Sequence, residues 1–189
     1  HPLINHKLTV LRDERTDSPT FRRLVEELVT LLAYEATRDV RTHEVEITTP
    51  VTKTKGQKLA EPRPVVVPIL RAGLGMLEGM SKLVPTAEVG FLGMVRDEKT
   101  LKASTYANRL PENLAGRQCF VLDPMLATGQ SMVMTYKAML ERGVPAHTHV
   151  VSVIASNLGV EYVKKHLSSN ITLWIGAVDE ELTAQSYIV

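Results

Sequence analysis

The stretch that decides the fold spans residues 119–131 and reads CFVLDPMLATGQS. Four apolar residues, Cys119 to Leu122, precede an acid, and a short loop of small and hydroxyl-bearing residues then leads into a helical pattern. This order predicts a buried strand, a turn and the beginning of a helix. The first amides of a helix lack internal partners and carry partial positive charge, so such a turn is suited to binding an anion.

The side chains of this loop indicate which anion it could bind. Thr128 and Ser131 can donate hydrogen bonds, and Gly129 lets the backbone approach a ligand closely. Asp123 is itself negative, so it must face sugar hydroxyls or a cation such as Mg²⁺. The combination predicts a phosphorylated sugar. Two alternatives stay open: Asp123 only caps the following helix, or the loop is an ordinary strand-to-helix turn that binds nothing.

Composition and charge limit the possible classes of protein. Hydrophobic residues make up 44% of the 189 residues and charged residues 23%, values typical of one globular domain with a core. The 22 basic and 21 acidic residues give a net charge of +1, which argues against a general nucleic-acid-binding surface. No apolar run approaches the roughly 18 residues of a membrane span, and no signal-peptide pattern opens the chain. We therefore expect a cytoplasmic protein that binds neither nucleic acid nor membrane.

Hydrophobic patterning predicts the fold class. Four short apolar segments, at residues 65–70, 118–122, 150–155 and 173–178, read as buried strands, and helical patterns separate several of them. Ser18 and Pro19 read as the N-cap and first position of a long amphipathic helix. The sequence thus predicts an α/β fold with an open, mostly parallel sheet flanked by helices. Ligands bind such sheets beyond the carboxyl ends of the strands, where we expect Arg71, Arg96 and Asp123 to converge.

Other features are expected to be structural. The polar stretch 97–113 predicts an exposed arm or hairpin over the site. A basic stretch at residues 53–63 reads as a solvated loop. Cys119, the only cysteine, excludes a disulfide within the chain and reads as a core residue. His147 and His149 are two residues apart, which is not a spacing that indicates a zinc site.

Segments spread along the chain resemble those of the uracil phosphoribosyltransferases, within the type I phosphoribosyltransferase family. The loop LDPMLATG at 122–129 resembles the ribose-5-phosphate loop of that family, and VPILRAGLGM at 67–76 resembles its pyrophosphate loop. The sequence RDEKTL at 96–101 is similar to its arginine-bearing flap. HPLI at 1–4, YEATR at 34–38 and YIV at 187–189 match the family as well, so the resemblance covers nearly the whole chain in order.

The resemblance implies a fold, a reaction and a partner. It implies that residues 1–189 form a single phosphoribosyltransferase domain with a small arm or hood at 97–113. The implied reaction converts uracil and 5-phosphoribosyl 1-pyrophosphate (PRPP) to UMP and pyrophosphate in pyrimidine salvage. Mg²⁺ would be bound mainly through PRPP, without a metal site of the protein's own. A homodimer or higher homo-oligomer is implied, together with GTP binding and allosteric control, on which the residues themselves are silent.

The resemblance also implies roles for individual residues. The catalytic residues would be Asp123, Arg71 and Arg96, with Asp123 on the ribose hydroxyls and both arginines on the pyrophosphate. Uracil would contact Ile188, near the end of the chain. The residues implied to contact PRPP are Arg71, Ala72, Gly73, Arg96, Asp123, Pro124, Met125, Leu126, Ala127, Thr128, Gly129, Gln130 and Ser131.

Two departures from the family pattern bear on function. The family commonly has a second glycine at the position of Gln130, and a side chain there forbids some backbone angles, so affinity for the sugar phosphate could suffer. The family also continues past Val189 with a Pro-Gly-x-Gly-Asp-Ala-Gly-Asp segment whose backbone recognises the edge of uracil. The given sequence does not include this segment, so which base the protein uses is left undecided at this point. One rival is a phosphoribosyltransferase for another base. A second is a catalytically silent regulator that binds nucleotide or RNA, against which the intact Arg71, Arg96 and Asp123 weigh.

Overall fold

The computed structural model describes residues 1–96, 103–167, 169–183 and 187–188. In chain order the elements are α1 (Pro2–Arg12), α2 (Ser18–Ala36), β1 (Thr42–Thr48), β2 (Lys53–Leu59), β3 (Val65–Leu70), α3 (Leu74–Leu83), β4 (Glu88–Val89), β5 (Phe91–Arg96), β6 (Ala103–Arg109), β7 (Gln118–Leu122), β8 (Met125–Leu126), α4 (Gln130–Leu140), β9 (His147–Ser156), α5 (Asn157–His166) and β10 (Ile171–Asp179).

The main sheet has the strand order β10-β9-β7-β3-β5-β6. Pairing is parallel from β10 to β5, and β6 joins β5 in the antiparallel direction. The short strands β4 and β8 pair with β3 and β9. The predicted α/β fold with an open, mostly parallel sheet is therefore confirmed. The four strands predicted from apolar runs are β3, β7 and the interiors of β9 and β10.

Two apolar clusters cover the two faces of the sheet. On one face, helices α1, α2 and α3 pack against Phe120, Leu122 and Val151. On the other face, helices α4 and α5 pack against Val121 and Val150. Strands covered on both faces need apolar residues at every position, which is why β3 and β7 show no alternation.

Cys119 belongs to the second of these clusters and is fully buried. Burial raises the pKa of its thiol to about 12, so the group stays protonated at neutral pH. Its predicted role as a small core residue is confirmed.

Helix α2 begins one residue differently from the prediction. Ser18 is already helical, and the N-cap is Asp17, whose carboxylate accepts a 2.8 Å hydrogen bond from the Thr20 amide. Pro19 lies in the first turn, where its missing N–H costs nothing. Serine and aspartate are both good N-caps, so the sequence alone does not decide which of two neighbours takes the position.

The prediction of a solvated loop for Lys53, Lys55, Lys58 and Arg63 was wrong for the three lysines. They lie in β2, which pairs with β1 in an antiparallel hairpin. Most side chains of this hairpin are exposed, so its sequence lacks the alternation of apolar and polar residues that would predict strands. Pairing across the strands instead brings opposite charges together, as in the 2.7 Å ion pair between Lys55 and Glu44. Arg63 follows the hairpin and forms an ion pair with Glu61.

Strands β5 and β6 form a second hairpin at the edge of the main sheet. Strand β6 supplies residues 103–109 of the polar stretch 97–113, for which an arm or hairpin was predicted. Residues 97–102, between the strands, lie outside the described residues. That an arm covers the site therefore stays a prediction.

His149 is buried inside the sheet layer among aromatic rings. Its ring stacks on Phe120 with centroids 4.8 Å apart, and its Nδ1 accepts a 3.0 Å hydrogen bond from Trp174 Nε1. His147 lies beside it and hydrogen-bonds Thr172. Burial, with a smaller contribution from His147, lowers the pKa of His149 to about 4, so the ring is neutral in the folded protein. Within the described residues, no group of three His, Cys, Asp or Glu side chains could hold a metal.

We expect His149 to make folding stability fall in acid. The pKa of His149 is lowered from 6.5 to about 4 in the folded protein, so the unfolded chain binds the extra proton first. Stability should therefore decrease as the pH falls from 6.5 to 4, by roughly 3 kcal/mol in total. His149→Gln, whose side-chain oxygen can still accept from Trp174, should lack this component. Urea unfolding between pH 4 and 7 measures it, and equal slopes for the two proteins would contradict it.

Candidate active site

A crevice of about 480 Å³ lies beyond the carboxyl ends of β3 and β7. The two strands are parallel neighbours, with Val65 opposite Cys119 and Pro68 opposite Leu122. The segments that follow the two strands therefore leave the sheet at the same edge, and both of them line the crevice. Its lining residues are Ile69, Leu70, Arg71, Ala72, Met94, Val95, Asp123, Met125, Leu126, Ala127, Thr128, Gly129, Gln130 and Ser131.

The start of α4 forms one wall of this crevice. Val133 is the first amide to bond back within the turn, to the Gly129 carbonyl at 3.0 Å. The amides of residues 130–132 have no acceptor inside the helix, so they are available to an anion at the positive end of its dipole. Gly129 has a φ of 75°, which favours glycine, whereas Gln130 is the first helical residue. The departure at Gln130 therefore needs no backbone angle that only glycine allows.

The loop before α4 is held against α5 by hydrogen bonds of one side chain and by close packing of the two backbones. The Ser156 hydroxyl donates to the Ala127 carbonyl at 2.5 Å and accepts from the Gly159 amide at 2.9 Å. A Cβ on Gly159 would lie 2.5 Å from the Ala127 oxygen, so a side chain there would push the loop away. The sequence analysis missed both residues. Ser156 is recognisable as a helix N-cap, but nothing in the sequence links it to a loop about thirty residues earlier.

The turn after β3 packs closely on the end of β7. A Cβ on Gly73 would lie 2.4 Å from the Leu122 carbonyl oxygen, so only glycine fits where the turn after β3 meets the end of β7. Gly73 is buried behind the turn, outside the lining of the crevice, whereas Ala72 lines it. The peptide bond between Leu70 and Arg71 is cis. Arg71 is exposed, and within the described part of the chain its guanidinium has no ion-pair or hydrogen-bond partner, so it can bind an anion.

Asp123 is half-buried at the base of the crevice. Burial raises the pKa of its carboxyl to about 6, against the opposing effect of a hydrogen bond from the Met125 amide. The carboxylate is thus charged at neutral pH but poorly solvated. The N-cap of α4 is Gly129, so the alternative in which Asp123 only caps that helix does not hold.

A second crevice, of about 780 Å³, adjoins the first and shares Ala72, Asp123 and Met125 with it. Its walls come from α1, α2, α3, the loop after β7 and the C-terminal half of β9. They are mainly apolar, with charged side chains also among the lining residues. The remaining residues of the lining are Leu11, Phe21, Arg22, Arg23, Val25, Glu26, Leu74, Gly75, Glu78, Pro124, Val153 and Ile154.

Four of the predicted site residues are not in the described lining of the first crevice. Gly73 is buried behind the turn after β3, and Pro124 lines only the second crevice. The other two are Arg96 and Ile188.

Arg96 is the last residue of β5, opposite Ala103, directly after two residues that line the first crevice. Its role towards pyrophosphate stays a prediction. Ile188 pairs with Leu182 in an isolated bridge and packs against the first apolar cluster. It is not in the described lining of either crevice, so its contact with uracil also stays a prediction.

Comparison with known proteins decides the family. The profile of the family described as uracil phosphoribosyltransferase matches residues 1–189, which is the whole chain. This chain belongs to the uracil phosphoribosyltransferase family. Relatives with that name include proteins of Streptomyces griseus, 63% identical over 190 residues, and Beutenbergia cavernae, 62% identical over 191 residues. Each alignment covers 100% of this chain and 90% of the relative.

Solved structures of other proteins share the fold of this chain. A protein of Aquifex aeolicus superposes with a TM-score of 0.93 at 39% identity, over 100% of this chain and 89% of its own. A hypoxanthine-guanine phosphoribosyltransferase of Bacillus anthracis shares only 13% identity and gives a TM-score of 0.55, over 85% and 80% of the two chains. The second similarity shows a common fold alone. Among the described residues of this family member, no helix is long and apolar enough to cross a bilayer.

Gly159→Ala should weaken anion binding at the start of α4. The new Cβ would lie 2.5 Å from the Ala127 oxygen, so the loop must move away from α5. Because binding depends on the position of its amides, we expect affinity for ribose 5-phosphate to fall about tenfold or more. Calorimetric titration measures this loss. Asn157→Ala, at an exposed position of the same helix, is the control and should bind normally. Equal affinities for both variants would contradict the role of this contact.

Asp123→Asn should stabilise the folded protein at neutral pH. The pKa of Asp123 is raised to about 6, so ionisation costs more in the folded than in the unfolded chain. Wild-type stability should therefore fall as the pH rises from about 4 to 6, and the variant should not share this fall. The gain at pH 7 should be on the order of 1 to 3 kcal/mol. Denaturant unfolding at several pH values tests this, and a variant less stable than wild type at pH 7 would contradict it.

Proposed function

We propose that this chain transfers the 5-phosphoribosyl group of PRPP to uracil, forming UMP and pyrophosphate. The observation that carries the proposal is the meeting of Arg71, Asp123 and the start of α4 around one crevice. These supply a cation, a carboxylate and an anion-binding helix end, which are the groups that a phosphorylated sugar with a diphosphate leaving group requires. Membership of the uracil phosphoribosyltransferase family supports the same reaction.

The 5-phosphate would bind the amides at the start of α4, with the hydroxyls of Thr128 and Ser131 beside them. This contact fixes the ribose, and with it C1, relative to the other groups. In the reaction the bond from C1 to the pyrophosphate oxygen breaks, a bond from C1 to a uracil nitrogen forms, and that nitrogen releases its proton to the pyrophosphate or to water. Positive charge grows on the ribose while negative charge grows on the pyrophosphate. The protein therefore contributes mainly orientation and preorganised charge.

Each charged residue would act on one of these two developing charges. The Asp123 carboxylate would accept hydrogen bonds from the ribose hydroxyls and stabilise the electron-poor ring. Arg71 would bind pyrophosphate beside the turn at Ala72, and its lack of a partner within the described chain leaves it available. Arg96, at the end of β5, would stabilise the negative charge that develops on the pyrophosphate as the transition state forms.

Mg²⁺ would be held mainly by PRPP oxygens and water. Asp123 is the one carboxylate among the described residues lining the phosphate crevice, and Mg²⁺ is commonly bound by one or two carboxylates plus substrate phosphates. The residues present therefore fit such an ion. When bound, it would neutralise part of the charge on the leaving pyrophosphate.

Uracil would approach C1 from the side of the second crevice. That crevice shares Asp123 with the first, and its apolar walls suit a flat, uncharged base. A role in pyrimidine salvage and a cytoplasmic location belong to the same proposal. GTP binding and allosteric control stay predictions.

Competition between bases tests the reaction. With PRPP, Mg²⁺ and equal uracil, cytosine and hypoxanthine, we expect UMP as the main nucleotide. Asp123→Asn should reduce turnover by about two orders of magnitude or more while the protein remains folded, because the ribose loses its anionic partner. Formation of CMP or IMP in preference to UMP would support the rival base, and a variant with near wild-type turnover would exclude the role of Asp123.

A homodimer is the second part of the proposal. The β1–β2 hairpin is nearly all exposed, and one of its faces carries Val45 and Ile47, with Gly56 opposite Val45. An isolated two-stranded hairpin is only marginally stable in water, so a second copy of the chain would cover this face.

Changing the two faces of the hairpin separately tests the dimer. Ile47→Asp places a charge on the apolar face and should shift the protein towards monomer at micromolar concentration. Thr48→Asp, one residue later on the opposite face, is the matched control and should leave the mass unchanged. Light scattering during size exclusion measures both, and a dimer unaffected by Ile47→Asp would exclude this face as the interface.

A further inference from the structure

The pairing of β5 with β6 contains a β-bulge beside the first crevice. Gly93 lies opposite Ala107, and the next residue, Met94, lies opposite Thr105. Tyr106 is therefore an extra residue on β6 without a partner in the ladder. Bulges of this kind bend a strand and re-aim its side chains, and they are frequent next to active sites.

The ring of Tyr106 occupies the space that a side chain at Gly93 would fill. A Cβ on Gly93 would lie 2.6 Å from two ring atoms of Tyr106 and 3.0 Å from the Cβ of Ala107. Tyr106 is 55% exposed, so this contact covers only part of the side chain. Within the described residues its hydroxyl has no hydrogen-bond partner. The interaction at this point is thus ring on backbone.

The contact is located where β5 leaves the rest of the sheet. Gly93 pairs with Leu70, the last residue of β3, so the following residues of β5 extend past the end of their inner neighbour. Met94 and Val95 then line the crevice opposite the loop before α4. A second contact, from the Thr105 hydroxyl to Met94 Sδ at 3.4 Å, joins the two strands just beyond the bulge.

We propose that Tyr106 is a positioning residue for the phosphoribosyl transfer. Its ring on Gly93 sets the direction in which Met94, Val95 and the backbone of Arg96 leave the sheet. It thereby sets the distance between this wall and the loop that binds the 5-phosphate. The inference rests on the proposed function, because it assumes that PRPP occupies this crevice.

Four variants test the contact. Tyr106→Ala removes the ring and should lower kcat about tenfold or more, since a displacement near 1 Å can cost two orders of magnitude. Tyr106→Phe keeps the ring and should stay within about twofold of wild type, because the hydroxyl has no partner in the described structure. Gly93→Ala displaces the ring and should resemble Tyr106→Ala. The double variant Gly93→Ala/Tyr106→Ala should be no worse than the poorer single variant, because both remove one contact.

Tyr34→Ala is the matched control. It removes another exposed tyrosine, which lies in α2, and should keep wild-type kcat. A loss in Tyr106→Phe equal to that in Tyr106→Ala would show a direct role of the hydroxyl and overturn the proposal. Wild-type kcat in Tyr106→Ala, or multiplied losses in the double variant, would overturn it as well. Calorimetric binding of pyrophosphate gives the same comparison without turnover, so an inactive wild type would overturn the proposed function alone.

Discussion

Parallel pairing of β3 with β7 is the constraint on which the site depends. Two parallel neighbours end at the same edge of a sheet, so the residues that follow them emerge side by side. Arg71 follows the first strand directly and Asp123 the second, although they are far apart in the sequence. The burial of both strands between two helical layers holds this register, because a slip would disrupt apolar contacts on both faces.

Glycines then hold the loops at this edge in place through backbone packing. Gly73 lets the turn after β3 lie on the Leu122 carbonyl, and Gly159 lets the loop before α4 lie on α5. Neither contact leaves room for a side chain. Such contacts limit the movement of backbone amides more tightly than long side chains could, and bound anions need amides in fixed positions.

Asp123, at this edge of the sheet, lowers the stability of the folded protein when it is charged. A carboxylate at the base of a crevice is poorly solvated, and this raises its pKa. Ionisation of Asp123 therefore costs more free energy in the folded than in the unfolded chain. A ligand that donates hydrogen bonds to this carboxylate would replace the missing water. The fold therefore keeps a destabilising charge at the position where the substrate would provide its partner.

The sequence by itself determined the α/β class, the buried strands β3 and β7, and the family, because continuous apolar runs and short loop motifs are local signals. It also indicated Arg71, Asp123 and the loop at 125–131, which the structure brings to one crevice. It missed the β1–β2 hairpin, Ser156, Gly159 and the bulge at Tyr106. Only tertiary structure decided these, because each depends on a contact between residues distant in sequence or on a strand pairing without apolar alternation. Local patterns carry no information about which distant backbone a glycine or hydroxyl will meet.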